Sequence, residues 1–339
     1  MKTEIYQKDS LEQAAKQLQQ EEVVAFPTET VYGLGAIASS QTAVERVYKA
    51  KGRPSDNPLI VHVSSVEQVI DSVTDFPEMA QKLADSFWPG PLTIILHPKE
   101  NLFAKAVSAG LPTASFRMPN HPLTLELIER VGEPIVGPSA NKSTRPSPTS
   151  AQHVLDDLDG LISGVVDGGV TSVGVESTVL DLTSPYGPVI LRPGVITKEE
   201  IEAVIGKIVD KDDLTVSEAE KPKAPGMKYR HYSPVKPVVA IAGEQALWQK
   251  EMDQLVAKGE KIALMANTEL VAAFKDVASA TYTLGEPGDI TAMNRLLFDG
   301  LRVLDKSDSD IILVEASPKV GQGLAYMNRL EKAAVEYIQ

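Results

Sequence analysis

The sequence predicts two α/β units joined by a charged linker, and three observations predict them. Over the first two hundred residues, short apolar runs alternate with helical patterns, as an α/β sheet requires. From Lys207 the character changes. Residues 210–224 are charged and poor in bulky apolar side chains, and Pro225-Gly226-Met227-Lys228-Tyr229-Arg230-His231-Tyr232-Ser233-Pro234 reads as a linker. Beyond it the alternation resumes, which predicts a second, smaller, open parallel sheet. The expected divisions are 1–208, 209–237 and 238–339.

The elements follow in order. Leu11 to Gln20 is helical and leads into the strand Val23 to Phe26. Thr42 to Lys49 is a helix, Leu59 to Val63 a strand, Met79 to Phe87 a helix and Leu92 to Leu96 a strand. Ala114 to Arg117 is a short strand, Pro122 to Arg130 a helix, and Glu133 to Val136 a short buried strand. Two late strands, Ser177 to Leu182 and Val189 to Arg192, flank the turn Ser184-Pro185-Tyr186-Gly187, so part of this sheet is antiparallel. In the second unit, strands are expected at Val238 to Ile241, Lys261 to Met265 and Ile311 to Val314. Helices are expected at Gln245 to Lys258, Asp289 to Leu304 and Leu324 to Ile338.

Composition narrows the function. The chain has 339 residues, 43% hydrophobic and 23% charged, ordinary values for a globular protein. A formal net charge of −13 argues against a uniformly basic nucleic-acid surface and leaves room for a local basic cleft. The absence of cysteine excludes disulfides, thiol nucleophiles and thiolate metal sites. The five histidines, His62, His97, His121, His153 and His231, are scattered without ligand spacing, so no protein-held metal is expected. A metal would arrive with a nucleotide, as magnesium on phosphates. The N-terminus has no apolar leader-like core and no run reaches membrane-span length, so a cytoplasmic protein is expected.

The residues that suggest chemistry are cationic and hydroxylic. Gly137-Pro138-Ser139-Ala140-Asn141-Lys142-Ser143-Thr144-Arg145-Pro146-Ser147-Pro148-Thr149 follows a strand and precedes a helix start. Stiffened by prolines, such a loop can hold donors in place for an anion, although the same residues also make ordinary turns. Lys49, Lys51 and Arg53 form a second basic group, a point-charge and fork combination suited to phosphate or simply a solvated loop. Strand alternation puts Ile60 and His62 on one face and Leu59, Val61 and Val63 on the other, so His62 either lines a cleft or is a satisfied core group. Arg117 closes a strand, where it can clamp a carboxylate or form a salt bridge. Gly33-Leu34-Gly35-Ala36-Ile37-Ala38 matches the dinucleotide glycine pattern, but six residues separate it from the preceding strand, and a dinucleotide loop needs its first glycine directly after one. The cations and aromatics at Lys228 to Tyr232 suggest that the linker docks onto something.

Six segments in order carry a resemblance. They are Pro27-Thr28-Glu29-Thr30-Val31-Tyr32-Gly33-Leu34-Gly35, Lys49-Ala50-Lys51-Gly52-Arg53-Pro54, Trp88-Pro89-Gly90-Pro91-Leu92-Thr93, Arg117-Met118-Pro119, Pro138-Ser139-Ala140-Asn141 with Ser147-Pro148-Thr149, and Glu176-Ser177-Thr178-Val179. Together they resemble the YrdC-type threonylcarbamoyl-AMP synthases. The linker motif and second unit are similar to the long, two-domain form of that family. The resemblance implies an N-terminal catalytic domain with a twisted mixed sheet and a concave cavity, a linker that closes over the site as a lid, and a C-terminal Rossmann-like domain. It also implies that the chain condenses L-threonine, bicarbonate or CO2, and ATP into threonylcarbamoyl-AMP and pyrophosphate, for modification of adenosine 37 in tRNAs that read codons beginning with A. Thr30, His62, Arg117, Gly137 and Ser177 are then expected to hold threonine. Arg53, Asn57, Thr113, Ser139, Ser147, Arg192 and Tyr232 are expected to hold ATP, with Lys51 and Arg53 as the catalytic cations and magnesium on the nucleotide. The implied partners are a downstream tRNA-modifying complex and, as an open point, RNA itself. Three other readings stand beside this one: a non-catalytic double-stranded RNA-binding module, a carbamoyltransferase using carbamoyl phosphate, and a dinucleotide-dependent oxidoreductase.

Overall fold

The computed structural model describes residues 2–52, 57–210 and 232–339. These form two compact units. The first comprises described residues of 1–143, 148–172 and 176–229, and the second comprises 144–147, 173–175 and described residues of 230–339.

The strands of the first unit are β1 (Glu4–Tyr6), β2 (Val24–Phe26), β3 (Gly33–Ile37), β4 (Ile60–His62), β5 (Leu92–Leu96), β6 (Ala114–Arg117), β7 (Ile135–Val136), β8 (Gly164–Val166), β9 (Thr178–Asp181) and β10 (Val189–Arg192). They join one mixed sheet in the order β1-β8-β2-β3-β7-β4-β6-β5-β9-β10. The helices are α1 (Leu11–Gln19), α2 (Gln41–Lys51), α3 (Val66–Ser72), α4 (Glu78–Phe87), α5 (Lys105–Ser108), α6 (Pro122–Val131), α7 (Ala151–Leu158) and α8 (Lys198–Ile205). Their ends follow local chemistry. Ser40, Ser65 and Ser150 accept from backbone N–H groups at the starts of α2, α3 and α7, satisfying donors a helix cannot. Gly52, at φ 62°, ends α2 in the left-handed conformation open to glycine.

Strand alternation sorts the side chains. Leu59, Val61, Val63, Leu92, Ile94, Ala114 and Phe116 enter one core together with α2 and α4. On the other face, α1 and α6 cover the β1, β2, β3, β7 and β8 portion, burying Tyr6, Val24, Phe26, Ile37, Ile135 and Val166. Ile60, His62, Ser115 and Arg117 belong to neither apolar cluster. The cover of helices stops there, and the sheet presents polar groups.

The segment Gly33 to Ala38, whose glycine pattern already lacked the context of a dinucleotide loop, contributes β3, antiparallel to β2. Its glycines serve packing: a Cβ on Gly33 would lie 2.6 Å from the Phe26 ring, and one on Gly35 would lie 2.7 Å from the Val24 carbonyl oxygen. The dinucleotide reading therefore loses its loop.

The second unit is a five-stranded sheet with β11 (Val238–Ile241), β12 (Ile262–Ala266), β13 (Ala280–Thr283), β14 (Ile311–Glu315) and β15 (Glu336–Ile338), and helices α9 (Gln245–Ala257), α10 (Thr268–Phe274), α11 (Ile290–Asp305) and α12 (Gly323–Ala333). All pairs are parallel, as expected, in the order β13-β12-β14-β11-β15. The closing helix is shorter than the sequence suggests. It stops at Ala333, Ala334 is extended, and residues 336–338 pair with β11. The run Val335-Glu336-Tyr337-Ile338 favours a strand, and pairing with β11 outweighs continuation of the helix.

Candidate active site

The first unit brings together most of the expected residues through its register. β4 and β6 run parallel with His62 opposite Arg117, so both side chains stand on the same sheet face. β5 pairs with β9 so that Leu92 faces Thr178, which places Ser177 at the same end. Arg192, closing β10 after a bulge, donates from Nε to the Ser177 carbonyl oxygen (3.1 Å) and from Nη2 to Ser177 Oγ (3.1 Å). Ser177 Oγ also lies 2.7 Å from Thr93 Oγ1. The residue expected at threonine and the one expected at ATP are thus in direct contact.

His62 is fully enclosed. Its Nδ1 lies 3.2 Å from the Ile60 carbonyl oxygen, which can only accept, so Nδ1 carries the proton and Nε2 keeps its lone pair. Burial, aided by the nearby Arg117 cation, pushes its pKa down to about 3. At neutral pH it is an uncharged hydrogen-bond acceptor and a poor base. Gly137 makes this placement possible: a Cβ there would come within 2.6 Å of both the His62 ring and Phe26. Its own N–H donates to Ile60 (2.9 Å).

Arg117 is 4% exposed. Its Nε donates to the Gly90 carbonyl oxygen at 3.4 Å. Its Nη2 lies 2.7 Å from Glu29 Oε2, an ion pair by distance. Yet Nη2 and both Glu29 oxygens complete no hydrogen bond, so the carboxylate sits off the N–H direction. Glu29 itself belongs to the 27–32 segment between β2 and β3. In that segment Thr28 Oγ1 accepts from the Thr30 and Val31 N–H groups and donates to the Val31 carbonyl oxygen. Thr28 Oγ1 also lies 2.8 Å from Thr30 Oγ1.

The remaining nucleotide candidates lie further along the same framework. Thr113, buried, starts the alternation Thr113, Ser115, Arg117 on one face, so the polar strip runs about 13 Å along β6. Asn57, which precedes β4, is buried, with neither side-chain Oδ1 nor Nδ2 partnered. Lys51, ending α2, donates to the carbonyl oxygens of Ser139 and Asn141. Its ammonium therefore holds the 138–141 loop in shape, a role the sequence did not indicate. Ser139 is half-buried and bridges to Gly33.

Two expected residues fall in the second unit. Ser147 is buried there, and Tyr232, at φ 67°, packs its ring against Phe298 with centroids 5.1 Å apart. Arg53 and the Tyr229-to-His231 part of the expected lid lie outside the described residues. Sequence reasoning passed over Glu29. An acid flanked by Thr28 and Thr30 beside an apolar strand was the available signal.

Buried guanidinium groups and hydroxyls gathered on one sheet face suit polar, anionic ligands. Comparison with known proteins agrees. Residues 16–194 match the Sua5/YciO/YrdC family, described as telomere recombination. Residues 196–335 match the family described as threonylcarbamoyl-AMP synthase, C-terminal domain. The threonylcarbamoyl-AMP synthase of Bacillus subtilis is 48% identical, over 95% of this chain and 92% of its own length. That of Schizosaccharomyces pombe is 40% identical, over 96% of this chain and 88% of its own. Among solved structures, Pyrococcus abyssi Sua5 complexed with L-threonine superposes with a TM-score of 0.90 at 40% identity and covers 100% of both chains. The chain belongs to the threonylcarbamoyl-AMP synthase family.

Proposed function

We propose that this protein condenses L-threonine, bicarbonate or CO2, and ATP into threonylcarbamoyl-AMP, releasing pyrophosphate, and so supplies the threonylcarbamoyl group for adenosine 37 of tRNAs reading codons that begin with A. One observation carries the reading: His62, Arg117, Ser177 and Arg192 meet on one buried polar face, in a chain alike over its whole length to a Sua5 bound to L-threonine.

Arg117 takes the threonine carboxylate, since a guanidinium fork matches a carboxylate in charge and geometry. Neutral His62 accepts a hydrogen bond through Nε2, and Thr30, Gly137 and Ser177 complete the threonine pocket. Asn57, Thr113, Ser139, Ser147, Arg192 and Tyr232 take the nucleotide, together with Arg53. The threonine ammonium loses a proton to solvent. The neutral amine bonds to the carbon of CO2 as one C=O π bond opens onto oxygen, and a second N–H proton goes to solvent to leave a carbamate. A carbamate oxygen then attacks the α-phosphorus, and pyrophosphate leaves with the electrons of the broken P–O bond. Holding the two in line supplies much of the acceleration. Arg192, bonded to Ser177 at the junction, is placed to offset charge on the transferring phosphoryl group, with Lys51 and Arg53 as further cations. Magnesium belongs to ATP, where it would supply charge neutralisation. The described residues hold no group of three His, Asp or Glu that would fix such an ion alone, which fits a metal carried by phosphate oxygens and water.

The catalytic domain in this reading spans 1–208 and the C-terminal domain 238–339. No described helix is long and apolar enough to cross a membrane. We place the reaction in the cytoplasm, upstream of a tRNA-modifying complex. Mass spectrometry of the purified chain with ATP, magnesium, L-threonine and bicarbonate tests the proposal. The expected result is a threonylcarbamoyl-AMP species that vanishes without threonine or without bicarbonate. ATP cleaved without that species overturns it in favour of another adenylated acceptor. RNA bound without ATP turnover overturns it in favour of a binding module.

A further inference from the structure

Glu29 is the least explained group in the first unit. It is 6% exposed, and neither carboxylate oxygen has a hydrogen bond. A buried carboxylate costs several kcal/mol unless it is paired and hydrogen-bonded. The charge paired with it, Arg117, is 2.7 Å away but leaves Nη2 without a hydrogen bond as well. Two opposite charges, buried side by side with unused bonding capacity, match in charge a ligand bearing the same two charges reversed. An α-amino acid zwitterion is such a ligand. Its carboxylate answers the guanidinium, and its ammonium answers the carboxylate.

We infer that Glu29 is the ammonium-binding residue of the amino-acid site, receiving the α-ammonium of the substrate while Arg117 receives its α-carboxylate. The inference rests on the reading of this face as the threonine site. The surroundings agree with it. Thr28 uses its hydroxyl within the 27–31 turn, fixing the backbone from which Glu29 projects. His62 is neutral and adds no competing positive charge. His121, a second imidazole within the field of Glu29, has its pKa lowered mainly by burial, so it too adds no full positive charge beside the carboxylate. Glu29 thereby makes the site specific for amino acids over the corresponding hydroxy acids. A site built to pair a charged group rejects an analogue that lacks it, because the buried partner is left uncompensated.

Calorimetric binding tests this with L-threonine and with 2,3-dihydroxybutanoate of matching stereochemistry, in which a hydroxyl replaces the ammonium. The wild type should prefer threonine by at least about 30-fold. In Glu29→Gln, nearly isosteric and uncharged, that preference should fall to within about three-fold, while ATP affinity stays within about three-fold of wild type. Glu29→Asp, which keeps the charge on a shorter arm, should retain a clear preference at lower affinity. An unchanged preference in Glu29→Gln overturns the assignment. Should that variant fail to fold, equal binding of the two ligands by the wild type, or by Glu29→Asp, overturns it just as well. Wild type that binds no threonine at all overturns the threonine reading itself, a separate outcome.

Discussion

The two units handle buried polarity in opposite ways. In the second, polar side chains inside the fold are mostly spent on structure. Asn267 donates from its N–H and its Nδ2 to Glu315, at 2.6 and 2.8 Å, while its Oδ1 caps α10. Tyr326 donates to the Glu315 carbonyl oxygen, and Arg302 to that of Pro146. Among its described residues, the buried atoms left over are single and uncharged, Trp248 Nε1 and Asn294 Oδ1. In the first unit, by contrast, both oxygens of Glu29, both polar atoms of Asn57 and one guanidinium nitrogen of Arg117 go without hydrogen bonds. Natural interiors rarely tolerate such groups without a reason. On the proposed reading, the first unit keeps bonding capacity in reserve for ligands, and the second uses its capacity to hold itself together.

Trp248 offers the strongest test of that contrast. It is fully buried among Val239, Met252, Leu264 and Phe274. Trp248→Ala should cost about 3–5 kcal/mol of unfolding free energy, read by denaturant titration, while calorimetric affinity for L-threonine stays within about two-fold. A large loss of threonine affinity at low denaturant would break the comparison, since it would tie the second unit's core to the ligand face. The next effect in size comes from His62. Its folded pKa of about 3 lies below the ordinary 6.5, so between those values the unfolded chain binds a proton that the folded chain refuses. Stability is fully present above pH 6.5 and drains away as the pH falls towards 3. From pH 6.5 to 4.5 this single group should cost about 2 kcal/mol. The stability advantage of wild type over His62→Gln should shrink by that amount across this window. A gap that does not move with pH would mean that His62 is not held neutral.

Much of this architecture was legible beforehand, and the misses have physical causes. The alternation at Leu59 to Val63 announced which face His62 takes, because the strand period is two and the apolar side chains marked the core side. The strand at Gly33 to Ile37 was missed because glycine usually signals a turn, whereas here the missing side chains make room for Phe26 on the neighbouring strand. That contact joins two strands and leaves no local signature. Val335 to Ile338 looked helical because it continues a helical stretch, and only the pairing with β11 decides otherwise. For the site, Arg117 stood out by closing a strand, while Ser177 and Arg192 came only with the family resemblance. Their junction could not be read, since it depends on register across β5, β9 and β10. Lys51 shows the limit from the other side: its type suggests phosphate, while its ammonium holds the carbonyl oxygens of Ser139 and Asn141.

The smallest of these effects sharpens the contrast most, because it separates charge from shape. Arg117→Ala would strand Glu29 as a lone buried charge, and breaking such a pair typically costs about 3–5 kcal/mol on its own. Lost binding would then be confounded with lost stability. Arg117→Lys keeps a cation beside Glu29 and removes only the planar fork. If the guanidinium serves mainly to balance Glu29, the lysine variant should bind threonine like wild type. If the fork is held for a carboxylate, threonine affinity should fall by about ten-fold, roughly 1.4 kcal/mol, with ATP affinity and unfolding free energy little changed. Calorimetric titration of both ligands against the same preparation decides between them. We expect the ten-fold loss, because the geometry at Glu29 leaves Arg117 Nη2 without a hydrogen bond. A guanidinium kept only for balance would have turned that N–H onto the carboxylate beside it.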